Sequence, residues 1–276
     1  MWNTAIWKKT WGEQRLLFLS LAALWGAFPW IYLGLSAQIE MPNFQMLLGL
    51  IPADWQKLSA VPIAEVATYP GRVALAFVDP VVVLAATAWG ITRGSDVVSG
   101  PLERGTLEMT LAAPLRRTAL FCTHALATTA AAAILSGVLL AAVWTAVAFG
   151  PWAGRVDPRC FVPAAANVFG LMVCMAGLAA CVSAADSHRW RTIGILGGFY
   201  VFTILLKLVG RLGPAAVSWC GYLSVLNAYE PQRLVDGTAG SWWLLAQYDG
   251  ILLAVGLGAY VLGAVLFARR DLPAPL

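Results

Sequence analysis

The residues able to do chemistry are few and scattered along this chain. Two histidines, His124 and His188, cannot make a three-histidine metal centre, and neither belongs to an HExxH helix. No GxSxG elbow is present, so a serine hydrolase is not indicated. No GxxxxGK[ST] loop occurs either. The only Lys-Thr pair, Lys9-Thr10, follows Lys8 and not a glycine, so the chain has no Walker-type cradle for ATP. The five cysteines, Cys122, Cys160, Cys174, Cys181 and Cys220, show no CxxC spacing, and most fall in apolar runs where a thiol packs as a small hydrophobe. Cys160 and Cys220 fall between apolar runs on one side, and their pairing is left open. Met172, Cys174, Met175 and Cys181 offer soft ligands, but Cys174 does not share a helical face with both methionines, which favours packing over metal binding. The expectation is a chain with no catalytic residue, no metal and no cofactor of its own.

Two carboxylates remain. Asp79 stands in an apolar run and precedes Pro80, and Asp249 lies near the start of the last one. An ionisable group inside a membrane span marks a transport path by default. The plainer reading of Asp79 is a cap on a helix broken at Pro80, in reach of water. His124, alone in its run, reads as a core or interface residue.

The elements that carry these residues are membrane spans. Of 276 residues 60% are hydrophobic and 12% charged, with mean hydropathy +0.74; soluble domains have roughly 45–50% apolar and about 25% charged residues. A net charge of +4 is too small to argue for nucleic acid. Apolar runs long enough to cross a bilayer cover residues 16–37, 73–92, 119–149, 161–184, 192–212 and 242–268. The expected fold is therefore all-α, a single six-span domain over residues 1–276. Residues 1–15 alternate Trp7 and Trp11 with Lys8, Lys9 and Arg15, as a helix lying in the interface would. Lys207 should snorkel towards water, and Gly194-x-x-x-Gly198 permits close approach of another helix, within the chain or between two chains. Residues 213–241 are semi-polar and fit a segment that dips into one leaflet.

Between the second and third spans runs RGSDVVSGPLERGTLEMTLAAPLRRT, residues 93–118. Read as a helix from Gly105 to Leu115, it places Leu107, Leu111 and Leu115 on one face. Thr106 is positioned as its N-cap, Glu108 falls in the first turn, Pro114 stops it, and Arg116 and Arg117 follow at its negative end. By spacing alone this is a capped, solvated surface helix.

Its wording, E-R-G-T-L-E-x-x-L-A-x-P-x-R-R, resembles the cytoplasmic segment of permease subunits of exporter-type ABC transporters. The matching residues are Glu103, Arg104, Gly105, Thr106, Leu107, Glu108, Leu111, Ala112, Pro114, Arg116 and Arg117. LSVLNAY at 223–229 and ARRDLP at 268–273 are also similar to family wording. The resemblance implies that residues 103–117 form a coupling helix docking into a separate ATPase subunit, which holds the ATP and Mg. It implies an elbow helix at the N-terminus, a second permease chain, as a homodimer, and a bacterial inner membrane. The permease itself would not be an enzyme.

Charge asymmetry gives an independent orientation. With both termini inside, the inner cations are Lys8, Lys9, Arg15, Arg93, Arg104, Arg116, Arg117, Arg189, Arg191, Arg269 and Arg270; the outer ones are Lys57, Arg72, Arg155, Arg159, Arg211 and Arg233. The positive-inside rule then puts residues 93–118 in the cytoplasm. Because the spans hold almost no ion-binding residues, energy delivered through a docked ATPase fits better than ion coupling. Two other readings stay open: an ion-coupled secondary transporter using Asp79, and a non-transporting anchor that passes ATPase motion to an envelope-side partner, for which residues 38–72 offer a binding segment.

Overall fold

The structure is a computed structural model that describes residues 4–50, 68–111, 116–213, 215–235 and 239–270. Ten α-helices run in order among them. They are α1 (Thr4–Ala37), α2 (Met41–Gly49), α3 (Tyr69–Val78), α4 (Pro80–Ser95) and α5 (Ser99–Glu103), then α6 (Thr106–Leu111), α7 (Arg117–Phe149), α8 (Val162–Ala185), α9 (Arg189–Leu212) and α10 (Ala239–Arg269). Short 3-10 helices cover Pro158–Phe161, Ala215–Leu223, Val225–Ala228 and Pro231–Leu234. Six helical stretches are long and apolar enough to cross a membrane: Ile6–Ala37, Tyr69–Ser95, Arg117–Phe149, Pro158–Ala185, Arg189–Leu212 and Gly240–Arg269.

The second stretch is two helices, and the break has a local cause. Pro80 has no N–H to give and its ring clashes with the preceding turn, so α3 must end there. The same proline is suited to the first position of the next helix. Asp79 closes α3 and opens α4, its carboxylate accepting the Val81 N–H at 2.8 Å. The cap geometry read from Asp79-Pro80 is therefore formed.

Helix α8 is the centre of the bundle and is buried on nearly every side. Helices α4, α7, α9 and α10 all pack on it. Its alanines and glycines allow that crowding. A Cβ added to Gly256 of α10 would lie 2.7 Å from Cys174 Cα, and one on Gly177 would collide with the Gly256 carbonyl. Backbones this close gain dispersion over their full length, which is what holds helices together where no water is expelled. Cys174 lies in this seam at 0% exposure, and Met172 and Met175, 0% and 2% exposed, pack on the side of α8 that meets α7 and α4, in keeping with packing roles. Helix α1 packs along α7 and buries Trp25 and Leu33.

At the end remote from residues 93–117, Arg72 ties α3 to the end of α1. Its guanidinium donates to Ser36 Oγ and Ile39 O, both at 2.8 Å, and to the Ser36 carbonyl. It also stacks over Phe44 at 4.3 Å. Trp152 donates Nε1–H to Leu33 O at 3.1 Å beside Tyr69.

Two expectations change. No break separates an interfacial helix over 1–15 from the first span: α1 is one helix of 34 residues, about 51 Å long at ~1.5 Å per residue. Gly12 alone is too weak a breaker, and Thr10 and Gln14 are buried against the bundle rather than wet. Lys207 does not snorkel; its ammonium donates to Leu226 O at 2.7 Å and Tyr229 O at 3.1 Å and pairs with Glu230 at 3.5 Å. Among the described residues no disulfide joins Cys160 to Cys220. Nothing in the described chain lies within 4 Å of a Cβ added at Gly194 or Gly198, so packing within this chain does not use that motif.

Candidate functional site

The stretch between the second and third spans folds as a pair of short helices. Helix α5 stops at Arg104, and Gly105, at φ +68°, turns the chain in the left-handed region before α6 begins at Thr106. That conformation is open to glycine and costly for a residue with a Cβ. The expected helix from Gly105 with a Thr106 cap is corrected accordingly. The Thr106 hydroxyl donates back to Pro101 O at 3.3 Å, bracing the turn instead of capping. The Glu108 and Leu111 side chains and residues 112–115, with Ala112, Pro114 and Leu115, lie outside the described part of the structure.

Four helices hold this pair. Helix α5 has no cap of its own; Ser183 of α8 supplies one, its Oγ accepting the Val98 N–H at 3.2 Å and the Ser99 N–H at 2.8 Å. Ser99 Oγ reaches Ser95 O at 2.8 Å and Thr192 Oγ1 at 3.3 Å, and all four of these Ser and Thr residues are buried. Asp96, just past α4, gathers three arginines: Arg104 at 3.1 Å, Arg93 at 3.5 Å and Arg189 at 3.8 Å. Glu103 accepts the backbone N–H of Arg189 at 2.7 Å, placing a carboxylate on the positive end of α9. On α6, Thr110 takes a hydrogen bond from Lys9 of α1 at 2.9 Å.

The charged residues also tie the span ends to one another. Arg93 is 2% exposed and reaches His124 Nε2 at 3.0 Å. Arginine only donates, so Nε2 accepts and Nδ1 carries the proton facing Thr128 Oγ1 at 3.4 Å. His124 is thus a buried structural residue, as expected. Arg270 donates to Ala184 O and Asp186 O at 3.0 and 2.8 Å, satisfying carbonyls at the end of α8, and Arg117 donates to Arg270 O.

The ten residues singled out by sequence therefore divide. Glu103 and Arg104 are exposed but committed to partners in this chain. Leu107 is 1% exposed and sits in this chain's own core, so it cannot anchor a partner. Its neighbour Met109 is 71% exposed and, among the described side chains of α6, is the large apolar one that faces outward. Gly105 forms the turn, Arg116 is exposed, and Arg117 braces the last helix. Asp79 lies at the start of α4 with α4's 16 residues between it and this surface. Sequence reasoning missed Asp96, Ser183, Arg189 and Met109. Asp96 and Met109 stand in the charged stretch itself, but Ser183 and Arg189 are far along the chain and carry no local signal. Among the described residues no group of three or more His, Cys, Asp and Glu is placed to hold a metal.

No curated protein matches the chain. The model of one family, described as ABC-2 family transporter protein, matches residues 32–272.

Proposed function

The chain belongs to the ABC-2 family of transporter proteins, and we propose that it is an exporter permease driven by a separate ATPase that docks on α5 and α6. One observation carries the reading: a surface pair of helices is tied by directed bonds to α1, α4, α8 and α9 at once. A force on α6 then reaches four helices without first stretching a flexible loop. Bistable packing of such helices is how small shifts become domain-scale switches. Met109 is the apolar anchor for the ATPase, and Arg116 meets its acidic groups; such a charge sets register and encounter more than affinity. The Lys and Arg asymmetry supports a cytoplasmic position for this surface. A second copy of the chain completes the transport path, with ATP and Mg held by the ATPase.

Asp79 as an ion-coupling residue fits less well, because its carboxylate already caps α4. The deciding experiment co-expresses the chain with an ABC-type ATPase and isolates the complex from membranes. Met109→Asp should lose the ATPase while the permease stays monodisperse. A permease that holds no ATPase in any form, or holds it equally with Met109→Asp, would overturn the docking assignment.

A further inference from the structure

Asp249 is the second carboxylate in a span, and the proposed docking surface makes no use of it. It stands on α10, where no other charged residue follows until Arg269. Trp242 and Trp243, 54% and 68% exposed, mark the membrane interface at the start of that helix. Asp249 is six residues beyond Trp243, ~9 Å deeper at ~1.5 Å per residue.

One of its oxygens is anchored. Asn167 of α8 is 0% exposed and donates from Nδ2 to Asp249 Oδ1 at 2.8 Å and to Ala228 O at 3.0 Å, while its own Oδ1 accepts the Glu230 N–H at 3.2 Å. Gly170, one turn further along α8, leaves the room: a Cβ there would lie 2.8 Å from Asp249 Oδ1. The other oxygen has no such tie. Oδ2 has no partner among the described residues and is not one of their enclosed polar atoms, so it opens on the surface of the bundle beside the half-buried Leu245 and Leu253. No Lys or Arg pairs with Asp249 among the described residues.

A neutral side chain would serve the tie to Asn167 as well. What a carboxylate adds is charge, which is costly in a span, and ionisable groups there face a watery cavity or a partner rather than lipid. We propose that Asp249 Oδ2 faces the transport path and is the counter-charge for an amphiphilic cation, an ammonium or guanidinium on an apolar body, which is the class of the cargo. This rests on the permease reading and names what that permease carries. An anionic cargo would be repelled, and a neutral one would leave the charge unanswered.

The test measures equilibrium binding of tritiated tetraphenylphosphonium, a permanent cation, to the full chain in phosphatidylcholine nanodiscs with no ATPase present. Docking plays no part in it, so its failure leaves the docking assignment standing. Binding should saturate in the native chain and be about tenfold or more weaker in Asp249→Asn, a difference of ~1.4 kcal/mol. The amide keeps an oxygen for Asn167, so this variant should stay monodisperse. Val261→Asn, a polar change at a 66% exposed position of the same helix, should bind as the native chain does. If Asp249→Asn does not fold, competition on the native chain decides: millimolar hexylguanidinium should displace the probe and hexanoate should not. Unchanged binding in Asp249→Asn, an equal loss in Val261→Asn, or equal displacement by hexanoate would each overturn the proposal.

Discussion

Ser183→Ala is the sharpest probe of how the pair α5 and α6 is held. The change removes one hydroxyl from α8 and leaves a space smaller than a water. In the native chain that oxygen accepts two backbone N–H groups, those of Val98 and Ser99, where α5 has no cap of its own. Ser183 and Ser99 are 0% exposed, so water cannot replace it without opening the structure. A buried donor left unpaired costs about 1–3 kcal/mol. Two at the low end cost ~2 kcal/mol, about thirtyfold in the constant for local opening. Between the spans only one tie is lost, the bond from the same hydroxyl to Ser95 O at the end of α4 at 3.1 Å, and the packing of α8 on α10 does not pass through this oxygen. Hydrogen exchange on the nanodisc-embedded chain should therefore show residues 98–111 exchanging about thirtyfold faster, with the amides of α8 and α10 unchanged. In the complex, ATPase docking should weaken although no residue of the docking surface has altered. Unchanged protection at 98–111 in Ser183→Ala would refute the reasoning that α8 holds the pair in place.

Other substitutions separate further links. Gly256→Val should force α8 and α10 apart, since its Cβ meets Cys174 Cα at 2.7 Å; overpacking costs about 1–3 kcal/mol, and thermal aggregation in detergent should come earlier. Gly258→Val has nothing within 4 Å and serves as the control, with no such change. Asp79→Ala should destabilise by about 1 kcal/mol through loss of the Val81 cap, whereas Asp79→Asn keeps a capping oxygen and should keep both stability and transport. Loss of transport in a stable Asp79→Asn would instead place the carboxylate in the path. Glu103→Gln weakens the contact with the N-terminus of α9 by no more than ~1 kcal/mol at an exposed site; faster exchange confined to Arg189 and the following turn would register it.

The spans were legible because bilayer chemistry leaves a long signature: about twenty apolar residues with internal hydrogen bonding can hardly be anything else. Asp79-Pro80 was legible for a different reason, since a cap and a ring that forbids the preceding turn act within three residues. The pair α5 and α6 was legible only in outline. Helical spacing put Leu107 on the apolar face, but spacing does not say whether that face meets a partner or the chain's own core. Lys207 shows the same gap: a lysine near a helix end ordinarily reaches for water, and here the carbonyls of Leu226 and Tyr229 and the carboxylate of Glu230 arrive from another element.

From the amino-acid order alone follow the all-α class, the six spans, the break at Pro80 and the concentration of charge at one end. Each depends on the character of neighbouring residues, summed over a turn or a span. The tertiary structure alone decides that Ser183 caps α5, that Asp96 joins Arg93, Arg104 and Arg189, and that Lys207, Arg211 and Arg233 crowd onto Glu230. These contacts join residues up to 93 positions apart, as Asp96 and Arg189 are. Which polar groups meet depends on how α4, α8 and α9 come together, and that is set by packing of small side chains over whole helices.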